Sequence, residues 1–198
     1  MGCAGFVLAH PATLVITVTA GKPGPHALTD WDGKCGFHDG DDVVGARRHE
    51  DAAALKVLGA RHVWLDFLDH QYGPQAPVAQ IAAAIEQAVA GCDEVASPLG
   101  LGHDDHVLVA AACFEVARRH PDKRWVLYED VIYRQTFGGT EQAIERLRQR
   151  GFAVEPVFYT LVGDVKPSAI IRYTSQLIGL GALVDDAYEP ERYWIIQS

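Results

Sequence analysis

The chain has 198 residues, enough for one domain with a full core, and 48% apolar beside 22% charged residues is ordinary globular composition. A formal net charge of −9 argues against a nucleic-acid binder or a polybasic membrane anchor, both of which need a basic surface. No apolar run approaches the roughly twenty residues of a membrane-spanning helix. Cys3, Cys35, Cys92 and Cys113 lack CxxC spacing and read as reduced, mostly buried thiols of a cytoplasmic protein.

The chain opens on a short apolar, helix-like piece. It has no basic leader, and its apolar character runs on into a strand, so it does not read as a signal peptide. Residues 13–18 (TLVITV) predict a buried strand. Residues 41–58 predict a helix, with Asp41 or Asp42 to cap it and Gly59 to end it. A short strand follows at 62–65, then a helix at 77–89 with proline in its first turn. The alternation continues with a strand at 94–97, a helix at 106–119, a strand at 125–129, a helix at 141–150 and a strand at 152–159. A long helix is expected over 165–180, and a last strand over 192–196 at the edge of the sheet. Such alternation implies a mostly parallel sheet covered on both faces, with ligands outside the carboxyl ends of its strands.

The loops at those ends are rich in chemistry, most of all Gly102-His103-Asp104-Asp105-His106, after a strand and at the start of a helix. Neutral imidazoles suit zinc, and a neighbouring carboxylate can fix their tautomer. A catalytic zinc takes about three protein ligands plus a water, so partners must come from another loop. The alternative is a solvated helix start capped by Asp104 or Asp105. Gly100-Leu101-Gly102 is no dinucleotide fingerprint, because Asp105 falls where its third glycine belongs.

The GHDDH segment resembles the H-P-D-H motif of the LmbE/PIG-L N-deacetylases, with Asp104 in place of proline. Other stretches agree in the family's order. Arg47, Glu50, Ala52, Ala53 and Leu58-Gly59 resemble its R-x-x-E…A…L-G helix, and Asp66-Phe67-Leu68-Asp69 its aspartate-bearing loop. Tyr128-Glu129-Asp130 with Tyr133 is similar to a Y-E-D…Y stretch. Lys166, Ala169, Tyr173, Ser175 and Gln176 resemble its K-x-x-A…Y-x-S-Q helix.

The resemblance implies one domain over residues 1–198 with a Rossmann-like three-layer α/β sandwich. It implies zinc-dependent hydrolysis of an N-acyl group, typically acetyl, from an amino-sugar conjugate. His106 would be a zinc ligand, and Asp105 would orient or tune a histidine. His103 would stabilise the oxyanion or protonate the leaving amine. Arg47 and Asp69 would contact sugar hydroxyls.

The family's H-P-D-D motif, which brings further ligands and the base, is expected upstream of Met1. His10-Pro11 is followed by Ala12-Thr13 and does not supply it. The expectation is therefore an N-terminally shortened chain without its first, central strand, with an incomplete zinc site and exposed sheet edges that favour homo-oligomers. One alternative is a non-catalytic, metal-free sugar-binding relative. Another is a metal site completed by His26, Asp30, Asp32, His38, Asp39 or Asp41.

Overall fold

The computed structural model describes residues 2–25, 28–134, 139–160 and 163–197. In chain order, α1 (Ala4–Ala9) and β1 (Leu14–Thr17) precede the short α2 (Asp30–Lys34), the long α3 (Val43–Val57) and β2 (Arg61–Trp64). Then come α4 (Val78–Ala88), β3 (Glu94–Pro98), α5 (Asp104–Arg119), β4 (Arg124–Tyr128), α6 (Gly139–Gln149) and β5 (Ala153–Val157). The chain finishes with α7 (Val165–Ile170), α8 (Thr174–Leu180), α9 (Asp185–Tyr188) and β6 (Tyr193–Gln197). These elements form two compact units, Cys3–Gln75 with Thr160–Glu189, and Ala76–Tyr159 with Pro190–Ser198 and Gly2.

In the first unit β1 and β2 pair in parallel, with Leu14 opposite Arg61. Helix α3 starts where expected: the Asp42 carboxylate accepts from the Gly45 amide at 2.9 Å, and Gly59 leaves the helix at φ +68°. The expected long helix over 165–180 is broken into α7 and α8. Two neighbouring acids on α3 hold the break. Glu50 accepts from the Ser175 amide at 2.7 Å and its hydroxyl at 2.8 Å, and Asp51 accepts from the Tyr173 hydroxyl at 2.9 Å. The Ser175 amide, which a continuous helix would bond internally, serves instead as an N-terminal donor to a carboxylate. Asp51 also accepts from Thr17 on β1 and Trp64 on β2, tying the strands to α3.

In the second unit the strand order is β3-β4-β6-β5. Strands β3 and β4 run parallel, Glu94 opposite Arg124, while β6 lies antiparallel to β4 and β5. The C-terminal strand is thus interior, not at the edge. Pro156 on β5 explains why: lacking an N–H, proline is confined to edge strands or bulges, so β5 takes the edge. Strand β4 has neighbours on both sides and buries Trp125, Val126 and Leu127. Helix α4 packs on α5. Their buried faces, Ile81, Ala82 and Ile85 on one and Ala112, Cys113 and Val116 on the other, follow the helical repeat. A fully buried aliphatic such as Ile81 contributes about 1.5–3 kcal/mol.

Candidate active site

The chain leaves β3 at Pro98 and turns over the first two turns of α5. Gly100 has φ +88°, and a Cβ there would lie 2.7 Å from the Ala110 Cβ, so this position admits only glycine without a shift of the helix. Neither aspartate caps α5. His103 does, its Nδ1 accepting from the Asp105 amide at 3.3 Å. Asp104 is exposed in the first turn, where its charge suits the helix dipole, and Asp105 is buried.

A buried carboxylate engages the next residue. The His106 Nδ1 donates to Asp130 Oδ1 at 2.7 Å. The Asp130 side chain is 0% exposed against 40% for His106, so the imidazole reaches solvent while its anchor does not. The other Asp130 oxygen accepts from the Gly100 amide at 2.7 Å and the Leu101 amide at 2.9 Å. One carboxylate therefore fixes the loop and the ring together.

These contacts set the two tautomers in opposite senses. His106 carries its proton on Nδ1, toward Asp130, which leaves the Nε2 lone pair as a ligand or base. His103 accepts at Nδ1, so its proton sits on Nε2 as a donor. The rings lie 5.3 Å apart, and the Tyr133 ring stands 5.8 Å from His103 and edge-on to His106 at 5.4 Å. A neutral imidazole backed by a buried carboxylate is the donor chemistry of a zinc-binding histidine, so His106 fits that role.

In the first unit Arg47, on α3, faces a fully buried carboxylate. Its Nη2 lies 2.9 Å from Asp32 Oδ1, and its Nη1 donates to the Tyr72 hydroxyl at 3.1 Å. That hydroxyl donates in turn to Asp32 at 3.1 Å. Burial alone would depress the guanidinium, but Tyr72, Asp32 and Cys35 together outweigh it and its pKa is raised. Burial is also the main cause that pushes the Tyr72 hydroxyl up. Asp69 caps the 3-10 turn His70–Tyr72, accepting from the Gln71 amide at 3.1 Å, with His70 Nδ1 also 3.1 Å away.

The acid-rich loop does not assemble as a metal site among the described residues. Asp32 is taken by Arg47 and Tyr72, Asp41 accepts from the His38 amide at 2.8 Å, and Asp30 sits in the first turn of α2. His38 and Asp39 are exposed, and His26 lies outside the described residues.

No role for Asp130 or Tyr72 was legible in the sequence, and Asp32 stood there only as a ligand of an alternative metal site. Asp130 had a signal, since it follows β4 at the carboxyl end of a parallel strand, where α/β sheets place their ligands. The grouping of Asp32 and Tyr72 with Arg47 had none, because it joins residues 15 and 25 positions apart on separate elements.

No family model matches the sequence, and no curated protein matches it by sequence. Among solved structures, the A40926 pseudoaglycone deacetylase Dbv21 superposes with a TM-score of 0.76 at 22% identity, covering 98% of this chain and 90% of its own. The zinc-inhibited form of the teicoplanin deacetylase Orf2 gives 0.77 at 21%, covering 100% and 92%. The N,N'-diacetylchitobiose deacetylase from Pyrococcus horikoshii, complexed with its inhibitor MPG, gives 0.52 at 14%, covering 93% and 67%. The chain therefore has the α/β, Rossmann-like fold that these deacetylases share.

Proposed function

We propose that this chain is of the LmbE/PIG-L type, a zinc-dependent hydrolase that removes an N-acetyl or related acyl group from an amino-sugar conjugate, with His106 the one zinc ligand assigned among the described residues and activity conditional on the remaining ligands. The observation that carries the reading is the pair of imidazoles at the start of α5, set in opposite tautomers by Asp130 and the Asp105 amide. Amide hydrolysis needs such a division of labour, with one group at the electrophilic centre and one donor for the oxyanion or amine. The likeness to deacetylases of the A40926 pseudoaglycone, of teicoplanin and of N,N'-diacetylchitobiose supports an amino-sugar substrate.

Zinc, when bound, supplies polarisation of the amide carbonyl and an acidified water. His106 offers Nε2 as a ligand, and Asp130 keeps its Nδ1 protonated and its ring fixed. His103 presents an Nε2 proton to the developing oxyanion or to the departing amine. Asp105, buried in the first turn, tunes the imidazole beside it. Arg47 and Asp69 are proposed contacts to sugar hydroxyls, with Asp32 and Tyr72 keeping the Arg47 guanidinium in place.

Incubation with N-acetylglucosaminyl conjugates, reading the primary amine released, tests the reading. Amine release that His103→Ala reduces is expected. Saturable sugar binding with no amine released would favour the metal-free sugar-binding alternative, which the buried Arg47–Asp32 pair could also serve.

A further inference from the structure

The turn after β4 carries two costs that a merely connecting loop would avoid. Ile132 has φ +69°. The Tyr133 amide donates to the Asp130 carbonyl at 3.2 Å, so Ile132 is the third residue of a four-residue turn. Type II turns put glycine or asparagine at such a position, because a β-branched side chain is strained there. Beside it Glu129 is fully buried, and burying charge is expensive unless it is closely paired.

Both costs fall on the segment that faces the imidazoles. Glu129 accepts from Arg192 Nε at 3.0 Å through each oxygen, and from the Thr140 hydroxyl. Arg134 Nη1 lies 3.2 Å from the same carboxylate and donates to the Pro190 carbonyl at 2.9 Å. The Glu129 amide donates to the Arg192 carbonyl at 3.0 Å. Residues 129 and 134, the two flanks of the turn, are thus tied to the segment that leads into β6. Between them, Asp130 holds His106, and Tyr133 lies against His103 and His106.

We propose that Glu129, clamped by Arg134 and Arg192, is a positioning residue that holds the strained Ile132 turn so that Asp130 and Tyr133 orient the two active-site histidines. Strain that persists in a native loop has to be over-determined by its surroundings, and it clusters where geometry serves function. The consequence for turnover rests on the hydrolase reading, whereas the consequence for ring placement does not.

The test uses Ile132→Gly, which removes the strain, and Glu129→Gln, which loosens the clamp, in the full chain. At one fixed pH, the ring-proton NMR shifts of His103 and His106 report the Tyr133 ring current, with Tyr133→Leu as the reference for its loss. Glu129→Gln is expected to move the histidine shifts toward those of Tyr133→Leu. Its kcat is expected to fall on the order of ten- to a hundredfold at nearly constant KM, as for a misplaced catalytic group. Ile132→Gly is expected to melt no lower than the parent with parental shifts, and added to Glu129→Gln it should bring shifts and kcat back, because glycine holds φ +69° without the clamp. Histidine shifts and kcat that stay at parental values in a folded Glu129→Gln would overturn the proposal, as would moved shifts that the added glycine leaves unrecovered. Where Glu129→Gln fails to fold, Arg192→Lys, which loses the Nε contact, is read in its place. Moved shifts in a chain that never releases amine would uphold the positioning role and remove the hydrolase reading.

Discussion

Replacing Asp130 by asparagine changes one heavy atom at the point where loop and imidazole meet. The amide oxygen can still accept from the Gly100 and Leu101 amides, now at 2.7 and 2.9 Å from Oδ2. The amide nitrogen then faces His106 Nδ1, which becomes an acceptor, and the imidazole proton moves to Nε2. Stability should fall by only about 1–2 kcal/mol, because a charge-assisted hydrogen bond gives way to a neutral one. Zinc affinity and turnover should fall about 10–100-fold, as when the carboxylate behind a metal-bound histidine is lost. Asp130→Ala differs in kind. It leaves two loop amides without their acceptor, at about 1–3 kcal/mol each, a large share of a total near 5–15. Urea melts with competitive zinc titration separate these cases. If Asp130→Asn binds zinc and releases amine as the parent does, the tautomer argument is wrong.

Two further predictions concern the scaffold. Gly100→Ala should destabilise by about 2–4 kcal/mol, since a positive φ and a 2.7 Å approach to Ala110 combine there, and differential scanning calorimetry would detect the lower Tm. The Tyr173 hydroxyl, raised chiefly by burial and then by the Asp51 charge, stays protonated in the fold beyond the unfolded value of about 10. Its contribution is therefore complete below about pH 10 and lost as pH climbs toward the folded value. The gap in urea midpoint between the parent and Tyr173→Phe should narrow from pH 9 to 11; a constant gap would contradict the assignment.

The alternation of strands and helices was legible because it rests on local periodicity and caps, as at Asp42 and Gly59, which do what their residue types dictate. The break between α7 and α8 was not. It depends on Glu50 and Asp51, more than a hundred residues away, and helical propensity carries no trace of them. The place of β6 was legible only in part: an apolar run announces a strand, and Pro156 on its neighbour decides which of the two takes the edge. At the site, the sequence pointed to the segment 102–106 as a unit. Which ring nitrogen of His106 is engaged depends on Asp130, 24 residues on. His103, not an aspartate, caps α5, and Asp69 caps a turn as well as being a proposed sugar contact.

The central claim is that His106 anchors a zinc-dependent deacylation. Its most direct test is acetate release from an N-acetylglucosaminyl substrate by the chelator-stripped chain, as zinc is returned from below one equivalent, beside His106→Ala. Zinc is added sparingly because one structural neighbour was captured in a zinc-inhibited form. The account predicts no acetate from the stripped chain or from His106→Ala, and release only where zinc is bound. Acetate release that is indifferent to zinc, or intact in His106→Ala, would contradict it.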